Sequence, residues 1–130
     1  MAFNLSEIYV EAAERELGAN LPLAYRLAML IKNGGEIETD EDVWQLYPIA
    51  DTSDKKRLSR TVNHIIKETM SCKEWSNFPD YALAIGDNGC GDKLILLRND
   101  INFESIIYIW HHESGELAVL AYDFHELKLV

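Results

Sequence analysis

A chain of 130 residues that is 48% apolar can fill one hydrophobic core but not two, which predicts one domain over residues 1–130. Its net charge of −10 disfavours nucleic acid, whose phosphates are bound by Lys and Arg displacing counterions. The longest apolar stretches, Leu27 to Ile31 and Ile106 to Trp110, fall far short of the roughly 20 residues that cross a bilayer; with no basic-then-apolar secretion signal at the start, a cytoplasmic protein is expected.

In chain order, Asn4 and Glu7 have capping-box spacing with Phe3 and Ile8 placed for a hydrophobic staple, so a helix is expected to start there, carry Leu5, Ile8, Ala12 and Leu17 inward, and stop at Gly18. Pro22 suits the first turn of a second helix, in which Leu23, Leu27, Leu30 and Ile31 form an apolar stripe that Asn33, Gly34 and Gly35 end. Val43 to Ile49 reads as a strand that Pro48 confines to an edge or terminates. Ser53 or Asp54 can cap a third helix with Leu58, Val62, Ile65, Ile66 and Thr69 on one face and Lys55, Lys56, Arg57 and Arg60 as a solvated face.

From residue 81 the period changes to two. Tyr81 to Ile85, Lys93 to Arg98, Ser105 to His112 and Glu116 to Phe124 read as strands, with a tight hairpin at Gly115 and a short helix near Asp123 to Leu127. Ile106 to Trp110, apolar throughout, is expected to be a central strand. Helices followed by a meander predict an α+β fold, N-terminal helices packed on a mainly antiparallel β-sheet.

The run Ile85-Gly86-Asp87-Asn88-Gly89-Cys90-Gly91-Asp92 invites two ligand readings, and spacing defeats both. A phosphate loop needs a following helix, whereas Lys93 to Leu97 reads as a strand. A calcium loop needs a closing bidentate Glu, where Arg98 stands. A hairpin remains, with Gly89 and Gly91 at positive φ and Asp87 and Asn88 bonding nearby amides.

His111 and His112, adjacent on a strand, should face opposite ways, and His64 has no i+4 partner, so no zinc set forms. Cys72 and Cys90 read as free thiols, and a dyad of Cys90 with His111 or His125 has no support from position. These failures predict a protein that is not an enzyme and carries no cofactor or metal.

Charge is unevenly placed. Residues 1–50 hold nine acids against three bases, residues 51–75 four against six, and residues 76–130 nine against three. Acidic blocks at both ends can steer a cationic protein partner. The expected partner-binding residues are Trp44, Tyr47 and Trp110 as partly exposed anchors, with Asp87, Asn88, Asp92, His111 and Glu113 around them. A monomer is expected, or a weak homodimer through an edge strand.

The ordered motifs Glu14-x-x-Leu17-Gly18-x-x-Leu21-Pro22-x-x-Tyr25-Arg26, Asn33-Gly34-Gly35-Glu36, Trp44-x-Leu46-Tyr47-Pro48-Ile49, Ile85 to Asp92 and Ile107 to Glu113 together resemble the SMI1/KNR4 (SUKH) family. The resemblance spans nearly the whole chain. It implies an α+β SMI1/KNR4-like fold and, for a bacterial member, an immunity protein that binds and neutralises a polymorphic toxin, often a nuclease. Eukaryotic members of the family imply the other reading, an intracellular regulatory scaffold that binds an endogenous protein.

Overall fold

The computed structural model describes residues 2–130. The elements, in order, are α1 (Glu7–Leu17), α2 (Leu23–Ile31), β1 (Gly35–Glu38), β2 (Val43–Leu46), α3 (Lys55–Arg60), α4 (Ile65–Cys72), β3 (Ala82–Asp87), β4 (Lys93–Asn99), β5 (Asn102–Phe103), β6 (Ile107–Trp110) and β7 (Leu117–Ala121), then a 3-10 turn at Phe124–Glu126 and β8 (Lys128–Leu129). The strands form one antiparallel sheet in the order β7-β6-β4-β3-β2-β1-β8, with β5 paired to β4. This is the expected α+β arrangement.

Gly18 ends α1 at φ 70, as its position predicts, but Ser6, not Asn4, precedes the first turn. Its buried face is also not the expected one. Val10 and Ala13 become its buried residues, Ile8 is left 60% exposed, and no staple with Phe3 forms. Leu5 lies outside the helix, buried, with its N–H donating to the Leu30 carbonyl at 2.9 Å.

On α2 the expected stripe faces the wrong way: Tyr25 and Met29 are buried, while Leu23, Leu27 and Ile31 are exposed. The helix is apolar on nearly every side, so periodicity cannot choose its rotation. Arg26, its one charged residue, lies toward Glu14 (3.4 Å) and Glu7 (3.6 Å) of α1, while Tyr25 points inward against the edge of Phe124.

Asp54 caps α3 by accepting the Arg57 N–H at 2.7 Å. The single helix expected through Thr69 breaks in two. Buried Thr61 uses its hydroxyl to donate to the Arg57 carbonyl (2.9 Å) and to accept the Asp51 N–H (3.0 Å), and His64 then caps α4. Leu58 and Val62 are consequently exposed, while Ile65 and Thr69 stay buried. The basic residues are not only a solvated face. Arg57 pairs with Asp54 and Asp51, and Lys56, Arg57 and Arg60 gather over the Phe3 ring at 5.6, 4.7 and 5.5 Å.

The sheet is most deeply buried along β3, whose residues are all buried except Asp87. β6, expected at the centre, lies second from the edge with Tyr108 and Ile109 only partly covered. β2 is likewise internal, between β1 and β3, and Pro48 follows it without confining it to an edge. At the bulge between Ala84 and Gly86 the chains pass so closely that a Cβ on Gly86 would stand 2.6 Å from the Gln45 carbonyl oxygen. Only glycine fits there, and it keeps β2 seated beside the hairpin that follows.

Candidate functional site

Two hairpin turns meet at one end of the sheet. In the β3–β4 turn, Asp87 Oδ1 accepts the Gly89 N–H (2.9 Å) and Asn88 Oδ1 accepts the Cys90 N–H (3.0 Å), while Gly89 and Gly91 take φ 79 and 105. This is the glycine-rich turn the sequence predicts. In the β6–β7 turn, Gly115 at φ 77 donates its N–H to the His111 carbonyl at 2.7 Å.

Asp92 joins the two. Its Oδ1 accepts the His112 N–H at 3.1 Å and sits 2.7 Å from His112 Nδ1, while its Oδ2 lies 3.8 Å from His111 Nδ1 and 3.4 Å from the Asn88 amide. The histidines were expected to face opposite ways. β6 ends at Trp110, so strand alternation no longer governs His111 and His112, and both turn toward Asp92. Burial disfavours the Asp92 carboxylate, but the ring and amide hydrogen bonds from His112 outweigh it and hold the group below the usual carboxylate range.

Asp87 is braced from beneath. Tyr47 donates its hydroxyl to Asp87 Oδ2 at 2.6 Å, and Lys93 Nζ donates to the Tyr47 oxygen at 2.9 Å. Burial, then the hydrogen bond to Asp87, push the phenol far above its ordinary range, so it remains a protonated donor. Asn88 also reaches Asp42, in the β1–β2 turn, at 3.5 Å.

The expected exposed anchors Trp44, Tyr47 and Trp110 are buried, at 1%, 3% and 0% exposure. They hold the sheet and the turns together: Trp110 packs edge-on against Phe78 and Trp75, and its indole N–H donates to the Asn77 carbonyl at 3.2 Å. The aromatic that does reach solvent here is Trp75, half exposed and edge-on to both Trp110 and His112. Its signal in the sequence is its setting, Lys73-Glu74-Trp75-Ser76-Asn77, where a polar run offers an indole no strand face to hide on. Beside it Glu113 is 89% and His111 45% exposed at the side chain. Asp87, Asn88, Asp92, His111 and Glu113 are thus brought together, and the three large aromatics are not surface groups.

Cys72 is buried and Cys90 exposed, both as free thiols. Among the described residues no three His, Cys, Asp or Glu side chains are grouped to hold a metal ion, and no helix is long and apolar enough to cross a membrane.

The sequence model of the SMI1 / KNR4 family (SUKH-1) matches residues 4–128. The chain belongs to this family. No curated protein matches it. In this SUKH-1 chain the residues that carried the resemblance mostly serve the fold: Gly18 ends α1, Trp44 fills the core, Gly86 admits the Gln45 carbonyl, and Gly91 lies where a Cβ would meet the His112 ring at 2.9 Å.

Proposed function

We propose that the chain is an immunity protein: one domain over residues 1–130 that acts in the cytoplasm, binds a cationic toxin domain, and neutralises it by occupying its surface, without catalysis. A nuclease fits the partner's chemistry, because a domain that grips phosphates presents the Lys and Arg that acidic side chains attract. The observation that carries the reading is the pair of turns welded by Asp92. Hydrogen bonds within them fix Asp87, Asn88 and Asp92 before any partner arrives, so little ordering entropy is lost on binding. Trp75 supplies a rigid apolar surface at the rim of the acidic cluster.

Co-expression tests the proposal. If a toxin-like protein is encoded beside this gene, it should lose its lethality when this chain is present, and lose less when Asp87, Asp92 and Glu113 are all replaced by Lys. Undiminished lethality in the presence of the unaltered chain would remove the basis of the proposal.

A further inference from the structure

A recess of about 390 Å³ opens between the start of β1, the end of β2, α3 and the N-terminal segment, a size within the roughly 300–1,000 Å³ of small-molecule sites. It is separate from the joined turns, which hang on β3, β4 and β6. Lys32, Arg57 and Arg60 bring positive charge to its wall, while Glu36, Gln45 and Asn63 bring hydrogen-bonding groups.

Like charges repel, yet the fold holds these cations close together. Arg57 and Arg60 lie over the Phe3 ring at 4.7 and 5.5 Å, with Lys56 at 5.6 Å. Gly35 makes room for Lys32, since a Cβ there would stand 2.9 Å from the Lys32 Cε, and Lys32 Nζ donates to the Val130 carbonyl. The carboxylates on the wall are already engaged. Asp51, with its side chain 4% exposed, meets Arg57 at 3.6 Å and accepts the Ser53 N–H at 3.0 Å, and Glu36 accepts the Gln45 amide at 2.7 Å. Arg57 also pairs with Asp54, but a guanidinium fork carries more N–H donors than these two carboxylates use.

We propose that this recess binds a sugar phosphate, a small polyhydroxylated molecule ending in a phosphate monoester. Its three cations suit a dianion better than the single charge of a carboxylate, and the arginine forks match phosphate oxygens. Glu36, Gln45 and Asn63 suit hydroxyls, because a carboxylate accepts from them and an amide serves either way. The same Glu36 disfavours a ligand that is anionic at both ends. Phe3, already carrying three cations, offers a nucleobase no clear ring to stack on.

Calorimetric titration of the whole chain at low ionic strength tests this, with ribose 5-phosphate, glucose 6-phosphate and glycerol 3-phosphate as probes. Inorganic phosphate and free ribose and glucose supply the two halves of the ligand separately. At least one of the three esters should bind about tenfold more tightly than inorganic phosphate, and the free sugars should not bind. Arg60→Gln, at an exposed position, and Lys32→Gln should each weaken that ester about tenfold, the loss of one charge-assisted hydrogen bond, with an unchanged circular-dichroism spectrum. Lys73→Gln removes an exposed cation outside the recess and should leave the affinity as it was. No ester binding more tightly than inorganic phosphate, or equal weakening by Lys73→Gln and Arg60→Gln, would overturn the proposal. So would adenosine monophosphate binding more tightly than all three esters.

Discussion

Replacing Gly86 by Ala places a methyl group 2.6 Å from the Gln45 carbonyl oxygen, 3.4 Å from the Gln45 carbonyl carbon and 3.4 Å from the Leu46 Cα. All three are backbone atoms, so no side chain can swing aside. Restoring ordinary contact at 3.4 Å requires β2 to retreat from β3 by about 0.8 Å, across a pairing of only two residues, Gln45↔Asp87 and Leu46↔Gly86. Overpacking a close contact of this kind costs about 3 kcal/mol, which for a chain of this size lowers Tm by roughly 10 °C. Gly89→Ala is the matched control. Its Cβ meets nothing within 4 Å, but φ is 79, and the left-handed conformation alone costs about 1 kcal/mol, or roughly 4 °C. Thermal unfolding followed by circular dichroism at neutral pH compares the two. A Gly86→Ala protein that melts within about 2 °C of the parent, or above Gly89→Ala, would refute the steric argument.

Burial lowers the pKa of His64 below its ordinary 6.5, and its Nδ1 accepts the Lys67 N–H at 3.3 Å to cap α4. The unfolded chain therefore binds that proton more readily; stability is complete above about pH 6.5 and declines as pH falls through the folded-state value. Urea denaturation between neutral and mildly acidic pH should show this decline, and His64→Asn, which keeps a capping acceptor, should flatten it. Asp92 has the opposite charge and the same sense: its depressed pKa contributes stability above about 3.8 that disappears as pH drops through the lower folded value. Asp92→Asn should destabilise at neutral pH, expose the His112 amide to hydrogen exchange, and converge with the parent in acid. If toxin capture is steered by acidic residues, its association rate should fall about tenfold from low to high salt while dissociation changes little, as stopped-flow fluorescence of Trp75 would read.

Punctuation was the most legible part of the sequence. Gly18, Asp54 and Gly115 each act where local backbone chemistry places them, because a cap or turn depends on a few adjacent residues, and Pro22, expected in the first turn of α2, stands one residue before it as an extended cap. Rotation about a helix axis was not legible. On α2 two apolar stripes compete, and which one faces inward depends on packing against residues distant in sequence, such as Phe124 against Tyr25 and the Glu7 and Glu14 partners of Arg26. The short strands β1 and β8 escaped notice for a related reason: Gly35–Glu38 has a single apolar residue, Ile37, too short a pattern to mark a strand before β2 and β8 lie beside it. At the candidate site the polar members were recognisable from the turn motif, since Asp87 and Asn88 bond amides within two residues. The aromatics were not. Trp44, Tyr47 and Trp110 occupy strand segments whose two faces look alike until the order of the strands is known, whereas Trp75 stands in a polar run that left it no buried position.

The most direct test of the account is the affinity of this chain for the purified, catalytically inactivated product of any toxin-like gene found next to its own, measured by calorimetry for the parent and for the Asp87→Lys, Asp92→Lys, Glu113→Lys triple variant. Tight equimolar binding that the triple variant weakens at least tenfold, with Tm shifts accounted for separately, is the predicted result. Absence of binding by the parent, or equal affinity of the two proteins, would contradict the assignment of the joined turns as the recognition face.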